Sequence, residues 1–315
     1  MKVITFEDIR KLNIAPKTCY QWVEEMIEDK ASVILPAKIS MKPMDGVFCN
    51  VMPSIISRNL GQKDGGVKIV TRYPNRMPSL DSELFLFDAL SGEMKAVMDA
   101  NWITAMRTGA VASHSIKLFA KTNFTTIGIM GLGNTARATL AVLADIYPER
   151  EFRIKLLKYK QQEVSFQERF SQNHHLYFEM VDTIPELVKG SDVVISAVTY
   201  FSEDICDDKC FDEGMLLVPI HTRGFTNCDL FFDKVFADDT GHVCGFKNFS
   251  KFRSFAEVSE VVKGVKPGRE NDSERIIAYN IGLSMRDINF AAHIFDLVTE
   301  CESIDLLSPS DKFWV

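Results

Sequence analysis

Residues 128–138 read GIMGLGNTARA. The spacing Gly131-x-Gly133-x-x-Ala136 is a form of the dinucleotide-binding fingerprint, and the flanking sequence gives it the context that a glycine pattern needs. The apolar run FTTIGIMG ahead of it has strand character. NTARATLAVLADIYP behind it has helical spacing and stops near Pro148. In such a strand–turn–helix unit Gly131 permits the tight turn, Gly133 lets backbone N–H groups reach a pyrophosphate, and Ala136 packs the helix on the strand. The helix N-terminus then favours the phosphate charge. Asn134 and Thr135, where the helix starts, are expected to face the same group. The competing reading is a domain of this type that binds something else, or nothing.

Downstream, the runs FRIKLLKY, LYFEMVDTIPELVKGSDVVISAVT, DEGMLLVPIH and DKVFADD are strands separated by helical stretches such as VSFQERFSQNH. Strand–helix alternation predicts a parallel, doubly wound sheet. Ala197, Val198 and Thr199, at the end of one of its strands, are expected to line the cofactor. The second strand ends LLKYKQQE, with no acid where an NAD-specific site offers one to the ribose. Lys158 and Lys160 could instead hold a 2′-phosphate and Tyr159 could cover the adenine, which favours NADP over NAD; otherwise they are solvated surface lysines.

Upstream, TFEDIRKLNIAP is read as a helix capped by Thr5 and Asp8, and APKTCYQWVEEMIEDKAS continues with helical spacing. The period then changes. SVILPAKISM, GVFCNVMPSII, GGVKIVTRYP and SELFLFDALSGEMKAVMD are short strands, with a turn at ALSGEM. NWITAMRTGAVASHSIKLFAKT is a helix whose Gly109, Ala110, Ala112 and Ser113 would let a neighbour approach closely. SERIIAYNIGLSMRDINFAAHIFDLVTECES is read as the closing helices. Asp238-Asp239 reads as a solvated turn, and His174, His175 and His242 have no evident partner.

The chain has 315 residues, 46% apolar and 25% charged, which suits two ordinary globular domains. A net charge of −7 disfavours nucleic acid or an anionic membrane as partner. The seven cysteines are scattered, and Cys206 and Cys210 have no second close pair to complete a zinc site. They read as reduced thiols in a cytoplasm. The first ten residues are charged and lack the apolar core of a signal peptide. No run reaches the ~18 apolar residues of a membrane span.

The stretches GVKIVTRYPNRMPS, LFLFDALSGEMKAVMDANWITAMRTGAVAS, IGIMGLGNTA and KPGRENDSERIIAYNIGLSMRDINFAA together resemble the ornithine cyclodeaminase/mu-crystallin family over nearly the whole chain. The resemblance implies an α/β protein. A Rossmann-type NAD(P)-binding domain would span 121–283, and an α+β substrate-binding and dimerisation domain would be built from 1–120 and 284–315. It implies a homodimer and a small amino-acid or imino-acid substrate.

Lys68, in GVKIV, matches the family's active-site lysine. On its own a lysine in an apolar strand faces either solvent or a cleft; out of water it gives up its proton more readily, or binds a carboxylate. Arg107 matches the arginine placed between substrate and cofactor, and its planar fork suits a carboxylate or phosphate. Thr108 would help with phosphate, and Met52 matches a pocket-lining residue. Two positions depart from the pattern. Lys38 stands where the family often has a carboxylate-binding arginine, so a point charge replaces a fork. His221 stands where cyclodeaminases carry an acid; an imidazole suits proton exchange with an imine better than holding an ammonium. Asp229, a later acid of that segment, reads as structural. The expected activity is that of an NAD(P)-dependent amino-acid dehydrogenase or imine reductase. An ammonia-releasing cyclodeaminase and a non-catalytic, crystallin-like cofactor-binding protein are the alternatives.

Overall fold

The structure is a computed structural model, and it describes residues 1–198, 201, 204–220, 225–306 and 312. Two compact units divide the chain: Met1–Ile14, Ser32–Thr104 and Ser284–Val315 form the first, Ala15–Ala31 and Ala105–Leu283 the second.

The first unit is a seven-stranded sheet with helices. Its strands are β1 (Lys2–Ile4), β2 (Ile39–Met41), β3 (Phe48–Ser57), β4 (Lys63–Arg72), β5 (Leu80–Asp88), β6 (Met94–Asp99) and, near the C-terminus, β15 (Glu302–Ser303), in the order β15-β1-β6-β5-β4-β3-β2. β2 to β6 pair antiparallel in sequence order, as their turn-broken alternating sequences predict. Ser82, Leu84 and Leu86 of β5 point inward while Glu83 and Phe85 are exposed. Helix α1 (Phe6–Lys11) starts in the predicted capping box: Thr5 Oγ1 accepts the Asp8 N–H at 3.2 Å and Asp8 Oδ2 accepts the Thr5 N–H at 3.0 Å. The sequence reading did not separate β1 from that helix; three residues carry too little periodicity. Helix α10 (Ser284–Leu297) packs on β3, β4 and β5.

The second unit contains α2 (Pro16–Glu28), most of α3 (Asn101–Phe119), then β7 (Thr126–Met130), α4 (Asn134–Ile146), β8 (Phe152–Leu157), α5 (Gln162–Arg169), β9 (Leu176–Val181), α6 (Ile184–Val188), β10 (Val193–Ser196), β11 (Leu216–Pro219), α7 (Cys228–Phe231), β12 (Lys234–Ala237), α8 (Thr240–Val243), β13 (Phe255–Glu257), α9 (Val258–Val262) and β14 (Ile276–Tyr279). Its eight strands run in the order β13-β12-β14-β11-β10-β7-β8-β9, every pair parallel. Two apolar cores cover the two faces. Ile127, Ile129, Val193 and Ile195 belong to one; Met130, Val194, Leu217 and Ile277 belong to the other. This is the doubly wound sheet expected from the sequence.

Residues 276–279, read as helical, are a strand seated between β11 and β12. A four-residue apolar run gives no period by which to tell helix from strand, and burial on both faces decides it. Residues 105–120 lie in the second unit, where the sequence boundary stood at 121. Gly109 explains the attachment: a Cβ there would come within 2.5 Å of Ala138 backbone in α4, and Ser113 Oγ donates to Thr139 O at 3.1 Å. The close approach expected from the small residues is therefore α4.

Asp238-Asp239 is not solvated. Asp238 is buried and its Oδ2 accepts the Gly282 N–H at 2.9 Å. Asp239 bonds Lys30 Nζ and His242 Nδ1, each at 2.9 Å, and these bonds hold its carboxyl well below the usual range. Lys30, some two hundred positions earlier in the chain, could not be guessed as the partner. The seven cysteines are all free, and no helix among the described residues is long and apolar enough to cross a membrane.

Candidate functional site

In the first unit the site is built on β4. Asp64, Gly66, Lys68 and Val70 take the buried side of the strand. A Cβ on Gly66 would lie 2.4 Å from Ile288 Cδ1, so glycine lets α10 settle directly on the sheet. Two residues further along, Lys68 meets that helix. Lys68 and Asp287 are both 0% exposed, and Lys68 Nζ lies 2.7 Å from Asp287 Oδ1. A second bond, 3.3 Å, runs from Nζ to Thr104 Oγ1. The solvent-facing alternative for Lys68 is thereby removed. Such a pair survives burial because each charge compensates the other.

Register brings other expected residues to the same level. Met52 of β3 is opposite Lys68, and Val51 is opposite Ile39, which follows Lys38. Met52 is buried and Lys38 half-buried.

In the second unit Gly131 has φ +81, and a Cβ there would sit 2.6–2.7 Å from the Ala197–Val198 peptide. Glycine is required at this point because β7 and β10 are adjacent and the turn passes over the end of β10; Ala197 N–H also bonds Met130 O at 2.9 Å. β8 lies on one side of β7 and β10 on the other, so the crevice stands at the topological switch point, outside the carboxyl ends of the strands. At Gly133 a Cβ would meet nothing within 4 Å, and Gly133 caps α4 with no side-chain bond. Open space over an uncapped helix N-terminus, beside Asn134 and Thr135, fits a pyrophosphate. The expected cofactor residues Gly131, Gly133, Ala197 and Val198 thus come together. Arg107 and Thr108 of α3 are each 2% exposed, so an exposed surface arginine is not what Arg107 is.

The end of β8 differs in detail from expectation. Lys158 Nζ is ion-paired with Asp182 at 2.9 Å, both partners largely exposed. Tyr159 is exposed, and its N–H is held by Glu163 Oε2 at 3.0 Å. Lys160 Nζ lies 5.2 Å from the Tyr159 ring centre. A further cation, Arg137, hangs from the glycine turn itself: its Nε donates to Leu132 O at 3.4 Å and its Nη2 to Ser165 Oγ at 2.8 Å. Burial, and Arg169 nearby, lower its pKa.

Asp229 is a buried acid bonded by the Tyr279 hydroxyl at 2.7 Å, and burial pushes its carboxyl up to about 6. The same hydroxyl oxygen accepts the Phe225 N–H at 3.3 Å, which suits the structural part expected of it. His221 and Thr199 lie outside the described residues.

Sequence reasoning passed over Asp287, Thr104, Ser82 and Arg137. Asp287 carried a signal: it is an acid within a helix whose Met285, Ile288, Phe290, Ala291 and Ala292 are apolar. Arg137 directly follows the fingerprint alanine. Ser82 and Thr104 carried none, since a hydroxyl in a strand or a helix is commonplace.

Comparisons with known proteins agree with this architecture. The Delta(1)-pyrroline-2-carboxylate reductase of Bacillus cereus is 26% identical over 274 residues, covering 79% of this chain and 81% of that protein. The structure of Thermococcus litoralis Delta(1)-pyrroline-2-carboxylate reductase in complex with NADH and L-proline superposes with a TM-score of 0.82 at 23% identity, over 94% of this chain and 97% of that one. An archaeal alanine dehydrogenase dimer with bound NAD gives the same TM-score at 20% identity, over 98% and 99%. The family model described as ornithine cyclodeaminase/mu-crystallin matches residues 2–302, and the chain belongs to that family.

Proposed function

We propose that the protein is an NAD(P)-dependent oxidoreductase acting on the C–N bond of an amino acid or of a cyclic or linear imino acid. The observation that carries the reading is Lys68, an amine held wholly out of water by an acid, in a chain that also has a dinucleotide cradle. The reductase and dehydrogenase activities of the named relatives support it. A bound nicotinamide dinucleotide would supply or accept the hydride at the substrate Cα. The chain's own residues do the rest. Lys68 exchanges a proton with the substrate nitrogen or with water. Arg107, Lys68 and Lys38 supply positive charge to the carboxylate, Arg107 with the better geometry. Met52 lines the pocket, and His221 takes part in proton exchange. Positioning and electrostatics give most of the rate.

NADP is the proposed cofactor, bound through Gly131, Gly133, Asn134, Thr135, Thr108, Ala197, Val198 and Thr199. Lys158, Lys160 and the unforeseen Arg137 face the 2′-phosphate, and Tyr159 covers the adenine. The exposed Lys158–Asp182 pair is worth little and yields readily to a phosphate. The assembly is proposed to be a homodimer; the archaeal alanine dehydrogenase structure is a dimer.

The test mixes the protein with NADPH or NADH and Δ1-pyrroline-2-carboxylate, or with a 2-oxo acid and an amine, and follows reduced-cofactor absorbance. L-Proline and L-alanine probe the reverse direction. Ammonia released from L-ornithine without absorbance change would make the protein a cyclodeaminase. Cofactor binding with no turnover of any of these would make it a binding protein.

A further inference from the structure

Arg137 joins two parts of the second unit that the sequence keeps apart. Its Nε donates to Leu132 O in the glycine turn at 3.4 Å, and its Nη2 donates to Ser165 Oγ of α5 at 2.8 Å. A guanidinium can only donate, so Ser165 Oγ accepts there, and the serine proton goes to Gln162 O, 3.1 Å away. Gln162 closes the turn that follows β8. Its N–H bonds Tyr159 O at 3.0 Å, and Lys160 and Gln161 between them have φ 49 and 61. Two consecutive non-glycine residues in the left-handed region are costly, so such a turn persists only where its surroundings hold it. Here α5 holds both ends: Ser165 bonds Gln162 O, and Glu163 Oε2 accepts the Tyr159 N–H.

The charges at this corner are unevenly matched. Asp182 is taken by Lys158 at 2.9 Å, and Glu163 by the Tyr159 N–H at 3.0 Å. Arg137 meets no carboxylate among the described residues. Partial burial and the charge of Arg169, also on α5, lower its pKa, and no acid opposes them. Leu132 and Ser165 use two of its five N–H groups; the others have no protein acceptor among the described residues. A cation partly out of water, beside a like charge and with donors to spare, gains most from an anion. The two lysines are placed differently. Lys158 reaches a phosphate only by giving up Asp182, and Lys160 Nζ stands 5.2 Å from the centre of the Tyr159 ring. Each is a point charge on a flexible stem, whereas Arg137 is a planar fork whose plane is set by two bonds.

We propose that Arg137, aimed by Ser165, decides the preference for a dinucleotide phosphorylated on the adenosine ribose, and that Lys158 and Lys160 add charge without deciding it. This rests on the NADP reading above. Ser165 is a positioning residue: it fixes the fork and, through Gln162, the turn that carries Tyr159 and Lys160. The 2′-phosphate supplies the acceptors and the negative charge that Arg137 lacks.

The experiment titrates the full-length protein with NADPH and with NADH, follows the fluorescence of the reduced nicotinamide, and compares the preference for NADPH as the ratio of the two Kd values. NADH binding controls for folding in every variant. Arg137→Ala should lower the preference about thirtyfold, through NADPH alone. Arg137→Lys, which keeps the charge and loses the fork, should recover only part of it. Ser165→Ala leaves every charge in place and should still lower the preference about fivefold, and Ser165→Thr should restore it. Lys158→Ala and Lys160→Ala should each change it by about threefold or less. An equal loss of both cofactors in Arg137→Ala overturns the inference, as does an unchanged preference in Ser165→Ala or a larger effect of either lysine; the NADP reading survives all three. A parent protein that binds the two cofactors equally removes the NADP reading itself, and the inference with it.

Discussion

Replacing Lys68 by Met leaves Asp287 buried with its main counter-charge gone, and replacing Asp287 by Leu does the same to Lys68. Both side chains are 0% exposed, so neither residual charge can reach water without opening α10. Breaking one side of such a pair costs about 3–5 kcal/mol. Lys68→Met also removes the donor to Thr104, worth about 1 kcal/mol more. The double variant removes both charges of the pair together and should lie within about 2 kcal/mol of the parent. The two single losses therefore should not add. Unfolding can be followed through Trp102, whose ring lies 6.5 Å from Phe290 of α10, in a background where the other two tryptophans are replaced, Trp22→Phe and Trp314→Phe. Each single variant should lower the midpoint of that transition by roughly 10 °C, and the double variant should recover most of it. A single variant as stable as the parent, or a double variant that loses the sum of both, would refute the reasoning: the pair would then be neither desolvated nor mutually compensated.

Three further outcomes are expected. Gly131→Ala forces a Cβ to within 2.6–2.7 Å of the Ala197–Val198 peptide at φ +81, so it should weaken cofactor binding at least tenfold, read by quenching of NADPH fluorescence. Lys158→Ala, Lys160→Ala and Arg137→Ala should each weaken NADPH more than NADH; equal loss for both cofactors would remove the phosphate reading. Asp229 holds its proton in the folded protein up to about pH 6, whereas the unfolded chain releases it near 3.8. Stability should therefore fall as pH rises across that interval, by an amount on the order of 3 kcal/mol, with the loss fully present above it. Asp229→Asn should gain stability relative to the parent between pH 4 and pH 7, as thermal denaturation at the two pH values would show.

The glycine turn and the parallel strands around it could be read from the sequence because each rests on local pattern, a spacing or an alternating run; for Lys68 the residues alone left solvent or cleft open, and only the family resemblance placed it in the site. What escaped depends on partners far along the chain. Residues 276–279 became a strand only because β11 and β12 leave a place between them. Asp238 and Asp239 looked solvated because Lys30 and Gly282 are remote. Thr104 and Ser82, 22 positions apart, meet through hydroxyls 3.0 Å from each other, and no residue type announces that. Lys158 and Lys160 were placed correctly at the end of β8, yet the Asp182 that occupies Lys158 follows a different strand.

The discontinuous first unit sets an order in time. Its β4 carries Lys68, but the helix with Asp287 is made 219 residues later, and the strand that pairs with β1 later still. At a ribosomal pace of about 5–20 residues per second, roughly 10–45 s separate the two halves of the ion pair. Through that interval the inner face of β3–β5 lacks its cover, with an unneutralised ammonium in the middle of an apolar surface. The second unit ends at Leu283 and can close as soon as that residue emerges. Synthesis therefore completes the second unit before the first, whose sheet receives its covering helix only from the residues that follow.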